Sequence, residues 1–320
     1  MGMTLQLVLF AVGVVILAVG ADLFVRGASS LAERFGISHF VIGLVVVGFG
    51  TSAPELAVTL GAALKGNTDI AIGNIVGSNI ANIGLILGLS ALVAPLAIHL
   101  RMLRVELPLM IATHLLLLGL LWNGSIGRID AVLLLVGFGG FLWFVLRSAR
   151  AEPAVVQEEF AAREPKPVRS LWITASLVGA GLAGLVGGAQ LCVDAAVLLA
   201  RLWGMSDLMI GLTVIAVGTS LPEIASSVAA AWRGHSDIAI GNVVGSCLYN
   251  VLFILGVTAA IAPLPGDGAT LMRLDLPALI GLSILLWPLA LKDMRLTRGN
   301  GAVLLGVYLG YVVLQLRSAA

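Results

Sequence analysis

Apolar residues run along this 320-residue chain in ten blocks, each long enough to cross a bilayer, and the polar residues interrupting them recur in a fixed order. A helix needs roughly 20 apolar residues to span the hydrocarbon core. The pattern predicts spans over about 5–22, 40–64, 69–94, 104–122, 129–146, 171–200, 207–231, 237–262, 274–291 and 300–316. Composition agrees: 59% of residues are hydrophobic, 11% are charged and the mean hydropathy is +1.08. A soluble domain carries about 25% charged residues, so the chain reads as an all-α integral membrane protein. The first block lacks a preceding basic residue, and Asp22, Phe24 and Arg26 follow where a signal cleavage site would have small residues; it is expected to be a span. Cys192 and Cys247 both fall inside predicted spans, which implies neither a disulfide framework nor a thiolate metal site.

One segment occurs twice. Residues 50–88 and 218–256 align without a gap at an offset of 168, and 22 of the 39 positions are identical. The shared part is polar: Thr-Ser-x-Pro-Glu, then Asp, Gly-Asn, Gly-Ser and Asn. A repeat kept for packing alone would keep its apolar positions best; this one keeps its oxygens, as two halves of one site would. Five spans separate the copies, an odd number, so the second crosses the membrane in the opposite sense. The expected architecture is ten transmembrane helices in two inverted five-helix repeats, 1–146 and 171–320, joined by a linker at 147–170.

Loop charges set the orientation. One side of the ten-span layout holds 13 of the 18 Lys and Arg residues. The positive-inside rule makes that side cytoplasmic, with the charged, proline-rich linker there and both termini outward. The setting is a plasma membrane, the inner membrane in a bacterium. Such a layout leaves no surface for nucleic acid and predicts no obligatory protein partner.

Chemistry concentrates in the repeats. Pro54 and Pro222 lack an N–H, so helix carbonyls around Gly50–Ser52 and Gly218–Ser220 are expected to be freed at membrane depth. A lone proline would be an ordinary kink repaired by a hydroxyl or water. The next residues, Glu55 and Glu223, change that reading, because a carboxylate amid an apolar span is costly and marks function. Ser78 and Asn82 lie four apart on the following helix, as do Ser246 and Asn250. Gly73 and Gly77, like Gly241 and Gly245, offer a small-residue face for close helix packing. Asp69 and Asp237 stand at the starts of these helices and are expected to be N-caps. The remaining acids, Asp22, Asp130, Asp194 and Asp275, are expected in interfacial or interhelical pairs, and His114 in helix packing.

The donors are all oxygen: two carboxylates, the hydroxyls of Thr51, Ser52, Thr219, Ser220, Ser78 and Ser246, two amides and several carbonyls. Such a set favours hard cations, and among divalent ions the flexible sphere of calcium over the strict octahedron of magnesium. Empty, the paired carboxylates repel each other in a low dielectric. A carrier built this way resists converting unless loaded, which is the requirement for exchange instead of leak.

At these residues the chain resembles the alpha repeats of the cation/calcium exchanger superfamily, in its prokaryotic sodium/calcium exchanger branch. The G-T-S-x-P-E and G-N-x-V-G-S-x-x-x-N strings carry the likeness over about a quarter of the chain. The resemblance implies that Glu55 and Glu223 share calcium, with the Thr51 and Thr219 carbonyls completing its site. It implies that sodium uses these four residues together with Ser52, Ser78, Ser220, Ser246 and the carbonyls of Gly48 and Ala216, so that the two ions compete. Asn82 and Asn250 would line the middle. Alternating access would come from spans one and six sliding across the rest. Asn250 stands where potassium-dependent relatives are acidic, which argues against potassium co-transport, and the histidine-bearing motif of the proton/calcium branch is absent.

The expected function is therefore secondary antiport that extrudes calcium against sodium entry, electrogenic if more than two sodium ions exchange per calcium. No enzyme or cofactor is expected. Proton/calcium or other divalent exchange is the alternative within the class. A calcium-permeable channel is the alternative outside it, though channels commonly surround a pore with several subunits. An intramembrane hydrolase would need a G-x-S-x-G elbow or paired aspartates, which the repeats lack.

Overall fold

The computed structural model describes residues 3–151, 170–203, 216–265 and 271–318. They are almost wholly helical: α1 (Met3–Phe35), α2 (His39–Thr51), α3 (Ala53–Leu64), α4 (Thr68–Val93), α5 (Met102–Leu120), α6 (Arg128–Ser148) and α7 (Leu171–Leu202). Then follow α8 (Ala216–Thr219), α9 (Leu221–Trp232), α10 (Ser236–Ile261), α11 (Arg273–Leu291) and α12 (Arg298–Arg317). Eight of these are long and apolar enough to cross a membrane, and the bent pair α2–α3 makes a ninth among the described residues. The predicted seventh span, 207–231, is described from Ala216 onward, and most of the predicted linker lies outside the described residues.

Helices α1 and α7 outrun the apolar blocks that predicted them. Hydropathy marks where the hydrocarbon ends, but the helix of α1 continues to Phe35 because polar partners hold its exit. Asp22 pairs with Arg26 at 2.8 Å and with Arg233 at the end of α9.

The two copies fold alike in detail. Ser52 (φ −81, ψ 7) and Ser220 (φ −87, ψ 3) break the helix in the same way, and each is followed by a helix with proline in its first turn. The axis bends by 43° between α2 and α3. Gly66 (φ +76) and Gly234 (φ +75) then reverse the chain in the left-handed region, where a Cβ would be strained. Asp69 and Asp237 are not the N-caps expected of them. Asn67 and His235 hold those positions, and the acids sit in the first turn of α4 and α10, where Asp237 meets His99 at 3.0 Å. Carboxylates there still favour the helix dipole.

Contacts between the copies are reciprocal. Strand β1 (Leu96–Ala97) pairs antiparallel with β4 (Arg295–Leu296), and β2 (Ser125–Ile126) with β3 (Leu264–Pro265), so each short strand joins the opposite half of the chain. Helices α1 and α7 pack antiparallel: Gly13 lies against Cys192, Gly20 against Leu185 and Gly27 against Val178. A Cβ at Gly20 would stand 2.6 Å from the Leu185 nitrogen, so the helices touch backbone to backbone.

Helices α4 and α10 form the centre, with 78% of their most apolar windows buried, against 11% for α12 at the rim. Gly241 and Gly245 let α2 lie directly on α10, since a Cβ there would meet the Phe40 carbonyl at 2.6 Å and the Leu44 carbonyl at 2.4 Å. Nothing described lies within 4 Å of such a Cβ at Gly73 or Gly77. Their counterparts to Phe40 and Leu44 by repeat are Leu208 and Leu212, which lie outside the described residues.

Candidate cation-binding site

The broken helices bring both glutamates to the middle of the bundle. Glu55 and Glu223, each in the first turn after its break, are 1% exposed and near enough to act on each other electrostatically. Ser52 Oγ bridges to the other copy, 3.2 Å from Glu223 Oε1 and 3.1 Å from Ser246 Oγ. Ser246 Oγ in turn lies 3.5 Å from the Gly48 carbonyl. Thr51, Thr219, Ser78, Ser220, Asn82 and Asn250 are all buried. Ala216 opens α8, and its side chain lies outside the described residues.

Several of these side chains have oxygens with no protein partner. Glu55 Oε2, Glu223 Oε2, Asn82 Oδ1, Asn250 Oδ1 and Ser220 Oγ are fully buried without a hydrogen bond. A buried carboxylate or amide oxygen left unmatched costs about 1–3 kcal/mol, and more when charged. Five such atoms, drawn from both copies, are acceptors of the kind that a hard cation would satisfy.

The backbone is less open than proline alone implied. The Ser52 and Ser220 carbonyls accept from Leu56 N and Ile224 N at 3.2 and 3.0 Å, so the helix resumes at once and these two are not freed. The Gly48 carbonyl accepts from Ser52 N at 3.2 Å. Thr51 donates its hydroxyl proton to the Val47 carbonyl at 3.0 Å and to Asn242 Oδ1 at 3.1 Å, which leaves its oxygen lone pairs open. The two halves also differ. Ser52 bonds Ser246, whereas Ser220 Oγ has no such bond to Ser78. The central helices widen to π-helical turns at Asn82–Ile86 and Tyr249–Leu255, beginning at or beside the two central asparagines, as turns at functional sites often do.

Sequence reasoning gave no role to Asn74 and Asn242, the Asn of each Gly-Asn pair. Asn74 Nδ2 donates to Thr59 Oγ1 at 2.9 Å and reaches the Glu55 carbonyl at 3.4 Å. Asn242 Nδ2 lies 2.8 Å from Ser227 Oγ, 3.0 Å from Ser226 Oγ and 3.4 Å from the Glu223 carbonyl. Each clamps the helix that carries its glutamate. Their identity in both copies was the available signal. The packing asparagine Asn79 was not singled out either; it bonds the Cys247 carbonyl, Asn250 and His114. Asp275 meets Tyr311 at 2.7 Å and Gln315 at 2.6 Å, the interhelical pairing expected of it.

A bundle of membrane-crossing helices around buried acids and amides defines an ion-handling membrane protein. The comparisons name its kind. The family profile for sodium/calcium exchanger protein matches residues 5–147 and 173–317. CaxA of Alkalimonas amylolytica, named as a candidate antiporter, is 42% identical over 304 residues, covering 94% of this chain and 95% of its own. The inner membrane protein YrbG of Escherichia coli is 37% identical, covering 97% and 96%. A solved structure of the sodium-calcium exchanger NCX_Mj superimposes with a TM-score of 0.84 at 30% identity, over the full length of both chains. The chain belongs to the sodium/calcium exchanger family, within the cation/calcium exchanger superfamily. It is a membrane-spanning cation/calcium antiporter by family.

Proposed function

We propose that this protein exchanges sodium for calcium at one shared centre, extruding calcium as sodium enters, without potassium. Glu55 and Glu223 share calcium with the carbonyls of Thr51 and Thr219. Sodium draws on the same residues and on Ser52, Ser78, Ser220, Ser246 and the carbonyls of Gly48 and Ala216, with Asn82 and Asn250 lining the middle. The observation that carries this reading is the set of five unmatched buried oxygens, contributed by both copies and including one from each glutamate. Two carboxylates balance one calcium, and overlapping ligands make the ions compete. The reciprocal strand pairs and the antiparallel α1–α7 contact support two inverted five-helix repeats, 1–146 and 171–320, with the linker at 147–170 cytoplasmic and both termini outward. The likeness to YrbG, an inner membrane protein, supports the bacterial inner membrane.

Calcium uptake into sodium-loaded proteoliposomes, diluted into sodium-free buffer with and without a pH gradient, tests the reading. Uptake is expected to need internal sodium and to vanish in Glu55→Gln and Glu223→Gln. Uptake that follows the pH gradient and ignores sodium would move the chain to proton/calcium exchange. Equilibration with no counter-ion would make it a channel.

A further inference from the structure

A buried chain of hydrogen bonds leads away from the centre, and both of its anchors are backbone carbonyls. Ser283 Oγ on α11 donates to the Leu279 carbonyl at 2.7 Å. Its single proton is thereby used, so at 2.8 Å it accepts from His114 Nδ1 on α5. A neutral imidazole that donates at Nδ1 accepts at Nε2. The Asn79 atom 3.1 Å from Nε2 is therefore the amide nitrogen. The same nitrogen faces the Cys247 carbonyl at 3.2 Å, which can only accept. Asn79 Oδ1 is then left to accept from Asn250 Nδ2 at 2.9 Å. Asn250 has one atom remaining, Oδ1, which is buried without a hydrogen bond.

We infer that His114, held in its Nδ1–H form, is a positioning residue that makes Asn250 present oxygen and not NH₂ to the transported cation. This rests on the exchange site proposed above. An amide is nearly symmetric in shape, so packing alone cannot choose its orientation; the network does. The reversed amide would aim a donor at a cation, which is repulsive. The repeat provides no duplicate of the device. The residue equivalent to Asn79 at the 168-residue offset is Cys247, which has no amide to orient Asn82. Asn82 meets the Cys247 side chain instead, so the amide-to-histidine relay serves the second copy's asparagine.

Two measurements on the full chain test this. Nitrogen-15 spectra of histidine-labelled protein, with the His114 signals assigned by their loss in His114→Gln, are expected to show a neutral ring protonated at Nδ1. A ring protonated at Nε2, or at both nitrogens, overturns the inference. Calcium affinity is read separately from calcium-induced thermal stabilisation. His114→Leu is expected to weaken it roughly tenfold, the usual scale for a partner that orients a metal ligand. His114→Gln, which keeps an acceptor and a donor, restores most of it. Asn79→Leu matches the loss, and the double variant is no worse than either single one. Additive losses, or a Gln variant as weak as Leu, would count against the relay. Because this readout needs no sodium gradient, a protein that binds calcium but fails to exchange it would sink the transport proposal and leave this one standing.

Discussion

A glutamate in an apolar span announces itself; the residue that holds it still does not. Asn242 shows the difference. Its amide nitrogen serves Ser226, Ser227 and the Glu223 carbonyl, while its oxygen accepts from Thr51 of the other copy. Truncation to alanine removes all of these bonds at once, about 0.5–1.5 kcal/mol each, although Thr51 keeps the Val47 carbonyl and Ser226 the Pro222 carbonyl. Asn74 has two partners and is only partly buried. Asn242→Ala is therefore expected to lower the unfolding temperature and calcium affinity clearly more than Asn74→Ala; equal effects would show that the clamp is not what sets Glu223. The acids, prolines and central asparagines were legible because charge and helix-breaking conflict with their surroundings. His114 and Ser283 were not linked in the sequence, since they stand 169 residues apart on different spans and nothing local pairs them. The bond from Thr51 to Asn242 was hidden for the same reason, since its partner stands 191 residues away on α10.

At the level of elements, the apolar blocks located the described spans, but not where helices outrun the hydrocarbon or how they pair. The contact of α1 with α7 illustrates the gap. Gly13, Gly20 and Gly27 are spaced by seven, and so are Gly181 and Gly188. That period places a small residue on one seam every two turns, a signal present in the sequence and passed over in favour of the glycines beside the acids. At this seam the backbones touch, which fits the proposal that α1 and α7 slide as one unit. Gly20→Val pushes a side chain into the α7 backbone, which cannot yield. It is expected to abolish transport and lower thermal stability, whereas Gly187→Val, on an exposed face with nothing described within 4 Å, leaves both near wild type. Normal flux from Gly20→Val would show that α1 and α7 need not move together.

For the molecule as a whole, the decisive quantity is the charge moved per cycle. The proposed site holds two carboxylates, which one calcium would neutralise, and it offers further neutral oxygens that would suit additional sodium ions in place of that calcium. If three sodium ions replace one calcium, one positive charge crosses in the sodium direction each turn. A single charge gains about 2.3 kcal/mol per 100 mV, and about 1.4 kcal/mol is tenfold in an equilibrium constant. A 100 mV potential should then shift the equilibrium calcium ratio roughly 50-fold at a fixed sodium gradient. In the cell, an inside-negative potential would pull sodium inward and drive calcium out. In sodium-loaded proteoliposomes the cycle runs in reverse, so an inside-positive potential should raise calcium uptake. Setting that potential with a potassium gradient and an ionophore also brings potassium to the site. With Asn250 an amide, the proposed site has no third carboxylate to hold it, so potassium added equally on both sides without the ionophore should leave uptake unchanged. A flux indifferent to potential would mean that two sodium ions, or two protons, balance each calcium, and the surplus oxygens would then need another occupant.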